Sequence, residues 1–295
     1  VFTGLSAFPF TPVTGDGVDE AAYERLVARI AAAGADSIGA LGSTGGYAYL
    51  SRAERARAAE LAVRAAGSVP VIVGVGALRT RDVLGHVEDA QRAGAAAVLL
   101  APMTYQPLTD DEVFGLYADV TANLSVPLVV YDNPGTTHVT FTDELHGRIA
   151  RLPGVASVKI PPVDADPGRI ARLRSLLPPA VTIGVSGDAA AAKGLLAGAD
   201  AWYSVLGGVL PEACLEITRA ATAGDTARAG QLSDRLAPLW TLFARYGSYR
   251  VVSAIAVRLG LIGEPGLPAP VRPLDEDGRR AVDAALAVIG ASTAV

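Results

Sequence analysis

The chain has 295 residues, 51% hydrophobic and 19% charged, a composition that supports a large buried core and excludes a disordered chain. Its net charge of −5 at pH 7, with the arginines scattered singly along helical stretches, excludes a nucleic-acid surface, which needs clustered Lys and Arg. No apolar run approaches the ~20 residues needed to span a bilayer, so no membrane segment is expected.

Short β-branched apolar runs alternate with longer Ala-, Arg- and Glu-rich stretches of helical period, the pattern of repeated β-α units around a parallel sheet. Eight pairs can be read, each a strand followed by a helix: 4–8 and 19–33, 37–41 and 51–66, 71–75 and 79–93, 97–100 and 109–123, 128–131 and 142–151, 156–160 and 166–177, 182–185 and 189–197, 201–205 and 211–223. Gly34, Gly94, Gly198 and Gly224 stand just past helical stretches, where a left-handed cap favours glycine, and Ser51 and Thr109 open helices as N-caps. Beyond Gly224 the strands cease, and helices are predicted over 225–246, 248–261 and, after a Pro-rich link at 264–273, over 275–289.

The reading is an α/β chain: a (β/α)8 TIM barrel over residues 1–224, which carries the chemistry, and a small C-terminal helical region over 225–295. A barrel of this kind takes ~250 residues. The rival, an open doubly wound sheet, lacks a glycine-rich dinucleotide fingerprint after its first strand. Cys214 is the single cysteine and cannot form an internal disulfide. The N-terminus has no basic and apolar signal-peptide blocks, so a reducing cytoplasm is expected. Since the chain begins with Val1 rather than Met, a preceding targeting segment stays open.

In such barrels the reacting groups project from the C-terminal ends of the strands. Lys159 closes the sixth strand and is one of two lysines, with Lys193, among otherwise arginine cations. An amine that must lose its proton cannot be replaced by arginine. Alternation groups Val155, Ser157 and Lys159 on one face, and desolvation there would supply neutral amine for attack on a carbonyl; a lysine in a buried ion pair or at the rim is the competing reading. Tyr131 closes the fifth strand in Leu128-Val129-Val130-Tyr131-Asp132-Asn133-Pro134. If it faces inward it neighbours Lys159 and can pass protons; otherwise it is a core tyrosine.

Gly42-Ser43-Thr44-Gly45-Gly46 follows the second strand, and its backbone N–H groups and hydroxyls suit a carboxylate nest, although a Gly/Ser turn alone is a weak signal. Gly187, in Ser186-Gly187-Asp188, either lets a ligand approach the backbone or serves a tight turn. His86, His138 and His146 show no ligand spacing and no neighbouring paired carboxylates, so no metal site and no cofactor are expected; His138 reads as a solvent-facing loop residue.

Together these pieces resemble the dihydrodipicolinate synthase and N-acetylneuraminate lyase family of class I, Schiff-base aldolases. The likeness covers nearly the whole chain: the start Gly4-Leu5-Ser6-Ala7-Phe8-Pro9-Phe10-Thr11-Pro12, the Gly-Ser-Thr-Gly turn, the Tyr131 strand, Lys159 placed 28 residues further on, and Ser186-Gly187-Asp188. The resemblance implies Lys159 as Schiff-base lysine, Tyr131 as proton relay, Ser43 and Thr44 as carboxylate binders, and Tyr203, whose counterpart is often aliphatic, in the pocket wall. It implies pyruvate or a related 2-oxo acid and an aldehyde as substrates, and a homotetramer built as a dimer of dimers.

Departures from the family pattern bear on the second substrate. Thr136 stands where the synthases place an arginine that grips the aldehyde's carboxylate. Gly46 replaces a usual Glu, and Lys159-Ile160-Pro161-Pro162 replaces a Lys-Glu or Lys-Asp pair. In Ala101-Pro102-Met103-Thr104-Tyr105-Gln106-Pro107, counting from Pro102 puts Thr104 at the position of a tyrosine donated across a subunit interface. Counting back from Thr109 puts Tyr105 there, and Tyr105 is preferred because a phenol can relay protons. The expected function is a Schiff-base lyase or aldolase joining or splitting a 2-oxo acid and an aldehyde. Its nearest variant is authentic dihydrodipicolinate synthase, and the alternative of another class is a non-catalytic 2-oxo acid binder.

Overall fold

The alternation of apolar runs and amphipathic stretches resolves into eight parallel strands: β1 (Gly4–Ala7), β2 (Ser37–Ala40), β3 (Val71–Gly74), β4 (Ala97–Leu100), β5 (Leu128–Tyr131), β6 (Val155–Ile160), β7 (Thr182–Val185) and β8 (Ala201–Ser204). Neighbours in sequence are neighbours in the sheet, and β8 returns to β1, pairing from Gly4↔Ala201 to Ala7↔Ser204. The sheet is therefore a closed barrel. The computed structural model describes residues 2–15, 17–263 and 266–291.

Among the described residues each strand is followed by a helix of the outer ring: α1 (Glu20–Ala33), α2 (Arg52–Ala66), α3 (Thr80–Arg92), α4 (Asp110–Thr121), α5 (Asp143–Ile149, after the one-turn helix Pro134–Thr137), α6 (Pro167–Leu176), α7 (Ala191–Leu196) and α8 (Pro211–Thr222). Ser51 and Thr109 cap α2 and α4, each with a complete capping box, to Glu54 and Glu112. A short antiparallel ribbon, Val13–Thr14 with Gly17–Val18, precedes α1 and was not legible in the sequence. Among the described residues no helix is long and apolar enough to cross a membrane.

Two expectations need correction. Val155 does not share a face with Ser157 and Lys159. Leu128 pairs with Val155 but Val129 pairs with Ser157, which leaves Ala156 as the extra residue of a β-bulge. Val155 consequently joins the apolar layer between strands and helices, while Ala156 packs against the barrel interior. Past the bulge the expected alternation holds, with Val158 and Ile160 outward and Lys159 inward against Tyr131 and Tyr203.

The second correction is in the C-terminal region, where 225–246 is two helices, α9 (Thr226–Arg235) and α10 (Ala237–Tyr246). Pro238 has no N–H for the carbonyl of Asp234 and its ring crowds that carbonyl, so the helix stops at Leu236. Next come α11 (Ser248–Arg258) and α12 (Glu276–Ile289); Glu264 and Pro265 of the intervening link lie outside the described residues. These helices bury Leu239, Val251 and Leu286 in one apolar cluster with Leu5, Trp202 and Cys214 of the barrel, which anchors the appendage to β1, β8 and α8.

Candidate active site

Lys159 and Tyr131 are partners in the β5–β6 register, so two inward side chains sit side by side near the C-terminal end of the barrel. The lysine is 3% exposed. Its Nζ lies 3.9 Å from the centroid of the Tyr131 ring, 4.2 Å from that of Phe8 and 5.6 Å from that of Tyr203. Among the described residues no carboxylate comes within ion-pairing distance of it, which removes the buried ion pair as an explanation. Burial lowers its pKa to about 7, only partly opposed by the negative charge of Asp188. A large fraction of the amine is thus neutral, and nucleophilic, near pH 7.

Tyr131 is buried as well, and desolvation pushes its phenol up to about 12 against the hydrogen bonds of Ser43 and Asn133. The phenol therefore keeps its proton at neutral pH. The Asn133 amide donates to Tyr131 Oη at 2.9 Å and to Ser43 Oγ at 3.3 Å, joining the end of β5 to the turn after β2. Asn133 is a site residue that sequence reasoning passed over; its place two residues after a strand-ending tyrosine was the available signal.

The turn after β2 is folded tightly on itself. Leu41 adopts φ 57°, a left-handed conformation uncommon for a buried leucine and typical of strained turns at ligand sites. A Cβ at Gly45 would come within 2.9 Å of Leu41 Cα and 2.8 Å of Gly42 N, so glycine is required there. The N–H groups of Ser43, Thr44 and Gly45 donate to no backbone carbonyl among the described residues. Thr44 is buried and Ser43 half-buried. This arrangement can receive an anion. Gly46, with φ 69°, lies under Tyr249 of α11, whose hydroxyl would be 2.5 Å from a Cβ; the C-terminal region fills the space that a side chain such as Glu would need.

Tyr203 faces Lys159, and its hydroxyl is hydrogen-bonded to Ser157 Oγ at 2.7 Å. At Gly187 a Cβ would come 2.6 Å from Pro162, so the close neighbour of this glycine is the Pro-Pro loop that follows Lys159. Asp188, quoted above only as part of a motif, is buried and accepts hydrogen bonds from Trp202 Nε1 at 2.9 Å and from the N–H groups of Val205 and Leu206 at 3.2 and 2.8 Å. It ties the loops after β7 and β8 together. Thr136 is exposed in the short helix Pro134–Thr137, whereas the Thr137 hydroxyl is turned back onto the Asn133 carbonyl. Tyr105 is 88% exposed, and the Thr104 hydroxyl bonds the Gln106 carbonyl.

Of the histidines, His138 is exposed. His146 meets a single carboxylate, its Nε2 lying 3.1 Å from Asp132 Oδ2, with both groups buried behind β5. Lys193 lies exposed on α7.

Over residues 1–289 the chain matches the sequence family described as the Dihydrodipicolinate synthetase family. It is 33% identical to the 4-hydroxy-tetrahydrodipicolinate synthase of Hyphomonas neptunium, over 99% of this chain and 100% of that one. Among solved structures it is similar to dihydrodipicolinate synthase from Agrobacterium tumefaciens, with TM-score 0.94, 46% identity and 98% of each chain covered. It is also similar to the chloride-inhibited dihydrodipicolinate synthase of Acinetobacter baumannii complexed with pyruvate, with TM-score 0.91, 29% identity, and 98% of this chain and 99% of that one covered. With a family match along almost the whole chain and relatives of this identity and coverage, the chain belongs to the dihydrodipicolinate synthetase family, a class I, Schiff-base aldolase.

Proposed function

We propose that the protein forms an imine between Lys159 Nζ and the C2 carbonyl carbon of pyruvate or a closely related 2-oxo acid, and makes or breaks a carbon–carbon bond with an aldehyde. The observation that carries this reading is a buried amine with no carboxylate in ion-pairing distance among the described residues, held near neutral pKa 3.9 Å from a buried phenol ring. The pyruvate complex of the Acinetobacter relative supports the choice of 2-oxo acid.

In this reading the neutral amine adds to C2, the carbonyl electron pair moves to oxygen, and the surplus proton on nitrogen passes to that oxygen to give the carbinolamine. The hydroxyl takes a second proton and leaves as water when the nitrogen lone pair closes the C=N bond. Loss of a C3 proton from the iminium gives an enamine, whose C3 bonds to the aldehyde carbon while the aldehyde oxygen is protonated. Water then releases the product and frees Lys159. Tyr131, kept protonated by burial, is placed to pass these protons, and Asn133 fixes its hydroxyl. Ser43, Thr44 and the free N–H groups of their turn would take the 2-oxo acid's carboxylate.

Thr136 offers no charge to an aldehyde's carboxylate, so a neutral or hydroxylated aldehyde is the preferred partner. A second reading, 4-hydroxy-tetrahydrodipicolinate synthase itself, is favoured by the names of the relatives. A purely binding role fits less well, because a carboxylate binder gains nothing from a neutral lysine. We assign Tyr105 to the active site of a second copy in a homotetramer, which accounts for a tyrosine 88% exposed in one chain. A reducing cytoplasm suits the free Cys214.

Borohydride reduction in the presence of pyruvate, read by peptide mass spectrometry, tests the reading. Lys159 is expected to carry the adduct and Lys193 none. Labelling of Lys193 alone, or no adduct with any 2-oxo acid, overturns it.

A further inference from the structure

Phe8 follows β1 directly, its N–H bonded to the Ser204 carbonyl at 2.8 Å, and its ring is turned into the barrel, 3% exposed. Two glycines make room for it. A side chain at Gly39 of β2 would overlap the ring, and a Cβ at Gly42 would come 2.7 Å from its Cδ1. On its other side the ring meets Tyr203 edge to face, with centroids 5.9 Å apart at 84°. Tyr203 itself occupies space left open at Gly184, the residue paired with Lys159 across β6 and β7. Of the three rings around Nζ, two carry hydroxyls already engaged, Tyr131 with Asn133 and Tyr203 with Ser157. Phe8 brings only apolar volume and a π face.

We propose that Phe8 is a positioning residue for Lys159: its ring, seated over Gly39 and Gly42, seals the barrel interior against Nζ and excludes water from the amine. A ring acts on an amine in two opposite ways. Its face attracts the ammonium form, and its bulk displaces the water that the ammonium form needs. Burial dominates here, since the amine is held near neutrality despite three ring faces and Asp188.

The titratable groups facing Nζ are Tyr131 from β5, Tyr203 from β8 and Asp188 from the loop after β7. Both phenols are raised by burial and carry no charge near pH 7. The Asp188 carboxylate is fixed by Trp202, Val205 and Leu206, so a substitution at Phe8 leaves it in place. The inference rests on the imine reading for its use, but the state of the amine can be measured without a 2-oxo acid.

Trace acetylation with acetic anhydride from pH 5 to 11, quantified by peptide mass spectrometry, reads the neutral fraction of Lys159, with exposed Lys193 as internal reference for reagent delivery. Phe8→Ala is expected to move the Lys159 midpoint to higher pH by about one unit or more, a tenfold fall in the ratio of neutral to charged amine. Phe8→Val, which removes less volume and is milder on folding, is expected to move it part of the way. Phe8→Leu keeps an apolar filler and is expected to stay at or slightly below wild type, because the attraction of the π face is gone. An unmoved midpoint in the folded Ala or Val variant, or a Leu variant shifted as far as either, overturns the proposal. Absence of a pyruvate adduct at Lys159 in the wild type would overturn the imine reading while leaving the acetylation result to stand.

Discussion

Holding Lys159 neutral has a stability cost that Lys159→Met should relieve. The amine titrates at its usual high value in the unfolded chain but at about 7 in the folded one. Between those values the unfolded state binds more protons, so wild-type stability rises with pH across this window and the penalty is largest at and below pH 7. Each tenfold step in the proton equilibrium is worth about 1.4 kcal/mol, which puts the penalty at roughly 4 kcal/mol at pH 7 and roughly 2 kcal/mol at pH 9. Methionine fills a similar volume without a charge and removes it. In a chain of this size the gain at pH 7 is on the order of 10 °C in Tm. Thermal unfolding of ligand-free wild type and variant at pH 6, 7, 8 and 9 measures it. The expected result is an inactive protein that melts higher, with the margin shrinking as pH rises. A variant with unchanged Tm at pH 7, or a margin that widens toward pH 9, refutes the idea of a desolvated neutral amine.

Tyr131→Phe is expected to slow imine formation by ~10²- to 10⁴-fold, the range for a general acid–base group, with pyruvate still bound; an unchanged single-turnover rate returns Tyr131 to a core residue. For aspartate semialdehyde, kcat/KM in the wild type is expected below the ordinary enzyme range of ~10⁴ M⁻¹s⁻¹ and above. Thr136→Arg should raise it by about tenfold or more through a charge-assisted contact, and efficient wild-type turnover would mean that another arginine supplies the grip. Light scattering should show a closed homo-oligomer, a tetramer of two dimers, as symmetric assembly favours. Tyr105→Ala should lower kcat without loss of fold, and a fully active monomer refutes the shared site.

The sequence by itself determined the barrel and the identity of its central lysine. Eight short, largely apolar runs alternating with amphipathic helices admit few other arrangements, because each strand must bury both faces. A chain that uses arginine almost everywhere narrows the candidate amines to two, and of these Lys159 closes a strand while Lys193 lies within a helical stretch. The register that sets Tyr131 beside Lys159 followed from period-2 alternation read back from the strand ends. Alternation failed only at Val155 and Ala156, since a bulge adds a residue without changing local composition. Tertiary structure alone decided the rest. Phe8 and Tyr203 become walls around the amine only because Gly39, Gly42 and Gly184, distant in the chain, leave them space. Tyr249 explains Gly46 only once α11 is folded across the turn after β2. Burial is likewise a property of the packed barrel: the 3% exposure that neutralises Lys159 comes from residues on four strands and their loops, and no window of sequence contains them together.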